Sequence, residues 1–126
     1  MKEKVDIKYL GIPNICFSLT KEDDKREKEY KKQRIERGFD NSELWSLRDT
    51  IGNFILPRLK AFKENKVGFP ACFETDEEWR KILSKMVIAF ELLVRDSGTF
   101  DLTKGEMKQY DKGMKLFHEY FLNLWN

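Results

Sequence analysis

From Leu44 onward, apolar residues recur at spacings of three and four. Leu44, Leu47, Ile51, Phe54, Ile55, Leu59 and Phe62 fall within a stripe roughly 140° wide on a helix of 3.6 residues per turn. Asp40 or Ser42 stands where the N-terminal cap belongs, and Gly68-Phe69-Pro70 ends the segment. Pro57 lies inside the pattern, where its missing N–H frees the Asn53 carbonyl and predicts a kink. A second stripe, Trp79, Ile82, Leu83, Met86, Val87, Phe90, Leu93 and Val94, is the cleanest in the chain. Thr75 caps it, Asp76 and Glu77 complement the helix dipole, Glu78 is the reciprocal residue of a capping box, and Ser97-Gly98 closes it. A third stripe holds Met107, Tyr110, Met114, Phe117, His118, Phe121 and Trp125, with Thr103 or Asp101 as cap, and predicts a helix running almost to the C-terminus.

The chain ahead of these stripes has another character. Val5-Asp6-Ile7-Lys8-Tyr9 alternates with the period of a half-buried strand, and Gly11-Ile12-Pro13-Asn14 supplies turn chemistry before Ile15-Cys16-Phe17. This predicts either a small hairpin or an extended arm. Between Thr20 and Arg37 charge dominates, with Tyr30 and Ile35 the apolar positions. Thr20 can cap a helix there, and Glu22/Arg26, Asp24/Lys28 and Glu27/Lys31 sit at i,i+4; Gly38 is a natural stop. Such a helix has a thin apolar edge and is expected to add little to a core.

Three amphipathic helices of about 20 residues with connections of about ten predict a mainly α protein. The expected architecture is an antiparallel helical bundle of three to four helices with a short N-terminal extended arm or hairpin. The arm is placed at residues 1–20 and a single helical domain at 21–126. A chain of 126 residues fits one domain, and no internal repeat is visible.

Composition narrows the function classes. Apolar residues make up 40% and charged residues 37%, with ten Phe, four Tyr and three Trp, which is too aromatic for a disordered chain. Lys and Arg number 24 against 22 Asp and Glu, and the net charge of +2 argues against a dedicated nucleic-acid binder. No stretch approaches the ~18 apolar residues of a membrane span, and the charged start runs into no secretory h-region. Cys16 and Cys72 lie far apart, outside any metal-ligand spacing, and read as free, partly buried thiols.

The chain carries no nucleophile motif, glycine-rich phosphate loop or HExxH pattern, and its single histidine cannot build a multi-His metal site. No catalytic residue, metal or cofactor is therefore expected. The basic run from Lys25 to Arg37 is interleaved with acids and reads as a solvated helix face. His118 projects onto the apolar side of the last helix, as a core histidine or a ligand contact. Arg58 is the most informative residue. In projection it falls between Leu47 and Ile51, inside the apolar stripe, where an unpaired guanidinium would cost several kcal/mol. Either an acid from a neighbouring helix meets it, or it reaches an anion through the gap that Pro57 opens. Lys60 flanks it. Arg58, Lys60, Trp45 and His118 form the candidate ligand-binding set.

The run Arg37-Gly38-Phe39-Asp40-Asn41-Ser42-Glu43-Leu44-Trp45, then Thr50-Ile51 and Phe54-Ile55-Leu56-Pro57-Arg58-Leu59-Lys60-Ala61-Phe62, resembles a family of small uncharacterised proteins encoded by tailed bacteriophages and prophages. The similarity continues through Gly68-Phe69-Pro70, Trp79, Met86, Ala89-Phe90-Glu91 and the closing Leu116-Phe117, Tyr120-Phe121 and Leu124-Trp125, and so covers about residues 37 to 126. Family members often read Leu-Asp-x-Thr-Ile where this chain has Leu47-Arg48-Asp49-Thr50-Ile51, so no role is carried over to Arg48 or Asp49. The resemblance implies a phage origin and no mechanism. The expected function is that of a non-enzymatic accessory protein acting by binding in the host cytoplasm. Its expected partners are a second copy of itself, as a homo-oligomer, most simply a dimer, and a host protein or small anionic ligand. The alternatives are an anion- or nucleotide-sequestering module using Arg58 and Lys60, and a minor virion or packaging component. Off-stripe Trp45, Leu116 and Tyr120 are read as surplus to a three-helix core, and exposed aromatics such as Trp45, Tyr120 or Trp125 as available for self-association.

Overall fold

The computed structural model describes residues 17–18, 20–21, 23–95 and 99–125. Among these the protein is mainly helical, with four α-helices and no strand: α1 Glu27–Arg37, α2 Leu47–Asn65, α3 Asp76–Val94 and α4 Lys104–Glu119. Short 3-10 turns at Asn41–Leu44 and Phe121–Asn123 precede α2 and follow α4. None of the described helices is long and apolar enough to cross a membrane. The expected arm or hairpin lies outside the described residues apart from Phe17, Ser18 and Thr20, as do Cys16 and the Ser97-Gly98 stop. The chain divides into two compact units inside α2, one up to Phe54 and one from Ile55.

In the first unit, α1 starts at Glu27, later than the expected Thr20 cap, and its N-cap residue Arg26 makes no side-chain cap. The Thr20 hydroxyl donates to the Glu27 carboxylate. Gly38 ends the helix at φ 86°, a left-handed conformation that glycine adopts without a Cβ clash, and its N–H bonds the Arg34 carbonyl at 2.8 Å. Two bonds then start the next turn reciprocally. Asp40 Oδ1 accepts from Ser42 N at 2.8 Å, and Glu43 Oε2 accepts from Asp40 N at 2.8 Å. The expected cap at Asp40 therefore opens a 3-10 turn, and α2 begins only at Leu47. Tyr30 and Arg34 are buried, so α1 does contribute to a core, contrary to its expected role as a solvated outrigger.

In the second unit, Leu59, Trp79, Leu83, Met86, Val87, Phe90, Leu93 and Leu116 form the buried core. Fully burying such side chains stabilises by about 1.5–3 kcal/mol each. Thr75 caps α3 by accepting from Glu78 N at 3.3 Å, while the Glu78 carboxylate accepts from Glu74 N, one residue before the expected position. Thr103 and Glu106 make a complete capping box on α4. Helices α3 and α4 form the main packed pair. At their closest point a Cβ on Gly113 would lie 2.3 Å from the Lys85 carbonyl oxygen and 2.5 Å from Ala89 Cβ, so only glycine allows the approach. This crossing sets the rotation of α4. Leu116 is buried, and Tyr120 lies between Phe73 and Trp79, with ring centroids 5.4 and 5.7 Å away. Both residues had been expected to be surplus; they belong to the core because Gly113 turns the helix toward them. Helix α4 also ends at Glu119, earlier than the apolar pattern predicts.

Candidate functional site

The four residues singled out by the sequence are divided between the two units. Trp45 belongs to the first unit and Arg58, Lys60 and His118 to the second. Arg58 is exposed, which corrects its expected burial. The projection between Leu47 and Ile51 is right, but that line of α2 faces outward. The inward line, through Gly52 and Leu59, runs roughly 100° further round the helix. Lys60 Nζ stands 3.9 Å from Glu91 Oε1, and both side chains are about half exposed, so this pair contributes little. His118 is also exposed rather than set in the core, because the inward line of α4 runs through Tyr110, Gly113 and Phe117. Cys72 is an exposed free thiol, against the expected partial burial.

The rotation of α2 leaves an apolar face in solvent. Leu47, Ile51 and Phe54 share one line of the helix, and Leu44 and Trp45 lie in the turn that feeds it. All five are between 39% and 52% exposed. Trp45 is held in place on one side. Tyr30 packs edge-on at 6.1 Å and the Arg26 guanidinium lies 4.8 Å from its ring centroid. Arg26 is itself fixed by a two-pronged bond to Asp24, at 3.0 and 2.9 Å, which holds that carboxyl down at about 2. Phe17 stands edge-on to Phe54 at 6.4 Å.

The same unit holds a buried polar cluster that sequence reasoning missed. Asp40 and Ser42 are fully buried and Glu43 nearly so. Arg34, 7% exposed, donates to Asp40 Oδ2 at 2.6 Å and to the Glu27 carboxylate. Glu43 Oε1 accepts from Phe17 N at 3.0 Å, Thr50 Oγ1 donates to the Glu43 carbonyl at 2.7 Å, and Ser18 and Ser42 hydroxyls bond at 3.1 Å. Burial pushes the Asp40 carboxyl up, but hydrogen bonds from Ser42, Arg34 and Ser18 outweigh it and hold it below its ordinary value. The Glu27 carboxyl is pushed up by burial too, and the bonds from Arg34 and Thr20 likewise bring it below normal. The cluster ties α1, the 3-10 turn and the start of α2 together, and so fixes the platform that presents Trp45. One signal for it was present in the sequence: Glu27 and Arg34 are seven residues apart, on one helix face, just before the Asp40–Glu43 box.

Among the described residues no group of three or more His, Cys, Asp or Glu is arranged to hold a metal ion. Comparison with protein-family models, curated proteins and solved structures gives no match to this chain.

Proposed function

We propose that the protein is a non-enzymatic accessory protein of phage origin that acts by binding in the cytoplasm of the infected cell, and that it self-associates as a dimer through the Leu44–Phe54 face. The antiparallel course of its helices and the N-terminal arm belong to the same reading. The observation that carries it is the half-exposed set Leu44, Trp45, Leu47, Ile51 and Phe54. If Trp45 and Phe54 each present about half of the ~150–250 Å² that an aromatic side chain buries, and the three aliphatic residues somewhat less, the face offers roughly 400–500 Å² of apolar surface. Paired across a twofold axis, this comes to about 800–1,000 Å², at the small end where weak, transient interfaces lie. The buried Arg34–Asp40–Glu43 cluster supports the reading by keeping the face rigid, which lowers the ordering cost of association.

Sedimentation equilibrium tests the proposal. The wild-type chain is expected to dimerise in the micromolar range, and Leu47→Asp/Ile51→Asp is expected to be monomeric with an unchanged circular-dichroism melt. A wild-type chain that stays monomeric at several hundred micromolar overturns the self-association, and a variant that dimerises as the wild type does moves it away from this face.

A further inference from the structure

The tight crossing at Gly113 has a second effect within the second unit. Backbones that touch at one point leave a groove beside it, because the side chains flanking the crossing must splay apart. A pocket of about 340 Å³ lies there, lined by Lys85 and Ile88 of α3 and by Lys108, Gln109 and Lys112 of α4. Its volume falls at the lower end of small-molecule sites, which run from about 300 to 1,000 Å³.

The lining is one-sided in charge. Lys85, Lys108, Lys112, Gln109 and Ile88 make up the wall, whose surface is mostly apolar with a small polar share, and no carboxylate residue is among them. Lys32, Lys60, Lys66 and Lys81 each have an acid within 4 Å, whereas Lys85, Lys108 and Lys112 have none among the described residues. Lys108 and Lys112 are one turn apart on the same line of α4, and Lys104 extends that line by another turn. Like charges gathered on a concave wall repel one another, and a bound anion relieves that repulsion while its field is focused by the cavity.

We propose that the pocket between α3 and α4 binds a small molecule carrying several phosphate groups on an apolar or planar body, of which a nucleoside triphosphate is representative. Lysines favour phosphate over carboxylate here. Each is a compact point charge without the planar fork that matches a carboxylate, and three of them suit the spread charge of a polyphosphate. Ile88, 38% exposed, and the lysine methylenes give the organic part an apolar wall, and Gln109 can both donate and accept at its polar edge. The pocket shares no residue with the Leu44–Phe54 face, and its assignment does not rest on the chain's dimerising.

Isothermal titration of the full chain with ATP, tripolyphosphate, adenosine and a 12-nucleotide single-stranded DNA tests the assignment. ATP is expected to bind one per chain, tripolyphosphate several-fold more weakly, and adenosine not at all, with affinity falling as salt rises. Lys85→Gln/Lys108→Gln/Lys112→Gln should weaken ATP at least tenfold while its melt stays unchanged, because all three lysines are exposed. The charge-matched Lys25→Gln/Lys28→Gln/Lys32→Gln should bind like the wild type. No ATP binding, ATP binding kept by the pocket variant, or an equal loss in the charge-matched control overturns the site. Tripolyphosphate binding as tightly as ATP removes the organic body from the proposal, and DNA binding through these lysines without ATP binding replaces the ligand class.

Discussion

Arg34→Met removes a cation that bonds both Asp40 and Glu27, and its cost can be worked from the structure. Asp40 is fully buried, and Arg34 donates to it at 2.6 Å. Breaking a buried pair by deleting one partner typically costs about 3–5 kcal/mol, because the remaining charge is left uncompensated. The Met side chain returns about 1 kcal/mol of apolar burial, so a net loss of about 2–4 kcal/mol is expected. With a urea slope near 1–1.5 kcal/mol per molar for so small a unit, the midpoint should fall by about 2 M. Incorporating 5-fluorotryptophan separates the units, since Trp45 reports the first and Trp79 the second. The Trp45 fluorine signal should therefore shift its urea midpoint more than the Trp79 signal. Both carboxyls sit below their ordinary values in the folded wild type, so their stabilisation is complete above pH ~4.5 and is lost as pH falls through the lowered values. In the variant burial dominates at Asp40, which then favours protonation, so the gap between variant and wild type should narrow from pH 7 to pH 4. Adding Asp40→Asn should restore part of the loss at pH 7, because Asn can still accept from Ser42 N without a charge. A variant as stable as the wild type at pH 7, or a gap that widens on acidification, would refute the account of this cluster.

Gly113→Ala should destabilise by about 1–3 kcal/mol, since a new Cβ meets backbone at 2.3 Å; Gly105→Ala, with nothing within 4 Å, should raise the melting temperature slightly. Thr103→Ala removes the α4 cap and should cost about 1 kcal/mol in urea unfolding. Arg95 holds the Glu106 carboxyl down at about 2, so its stabilisation is present above pH ~4.5 and is lost toward pH 2. Arg95→Gln should flatten the acid limb of a melting-temperature profile over that window. Arg58→Met should change stability by less than about 1 kcal/mol, as expected for an exposed position, and a larger loss in urea unfolding would restore a structural role for that arginine.

What the sequence determined by itself is local. Thr75 and Thr103 cap α3 and α4, Gly38 stops α1, and Asp40 with Glu43 opens the turn before α2, because each device uses hydrogen bonds between residues a few positions apart. The Trp79–Val94 stripe was legible for the same reason, since one helix period aligns its core residues whatever surrounds them. Tertiary structure decided the direction in which each broad stripe points. The stripe on α2 left its rotation open by tens of degrees, and the packing of Gly52 and Leu59 turned Leu47, Ile51 and Arg58 outward. On α4 the missing Cβ of Gly113 drew Leu116 and Tyr120 inward and left His118 outside. Arg34 is buried although its neighbours in α1 are charged, because Asp40 and Glu27 reach it from positions six and seven residues away. The cationic pocket joins residues of two helices whose relation exists only once they cross. Hydrogen bonds within a turn are fixed by short-range geometry, whereas the rotation of a helix about its axis is settled by the sum of all its packing contacts, which no single stretch of chain contains.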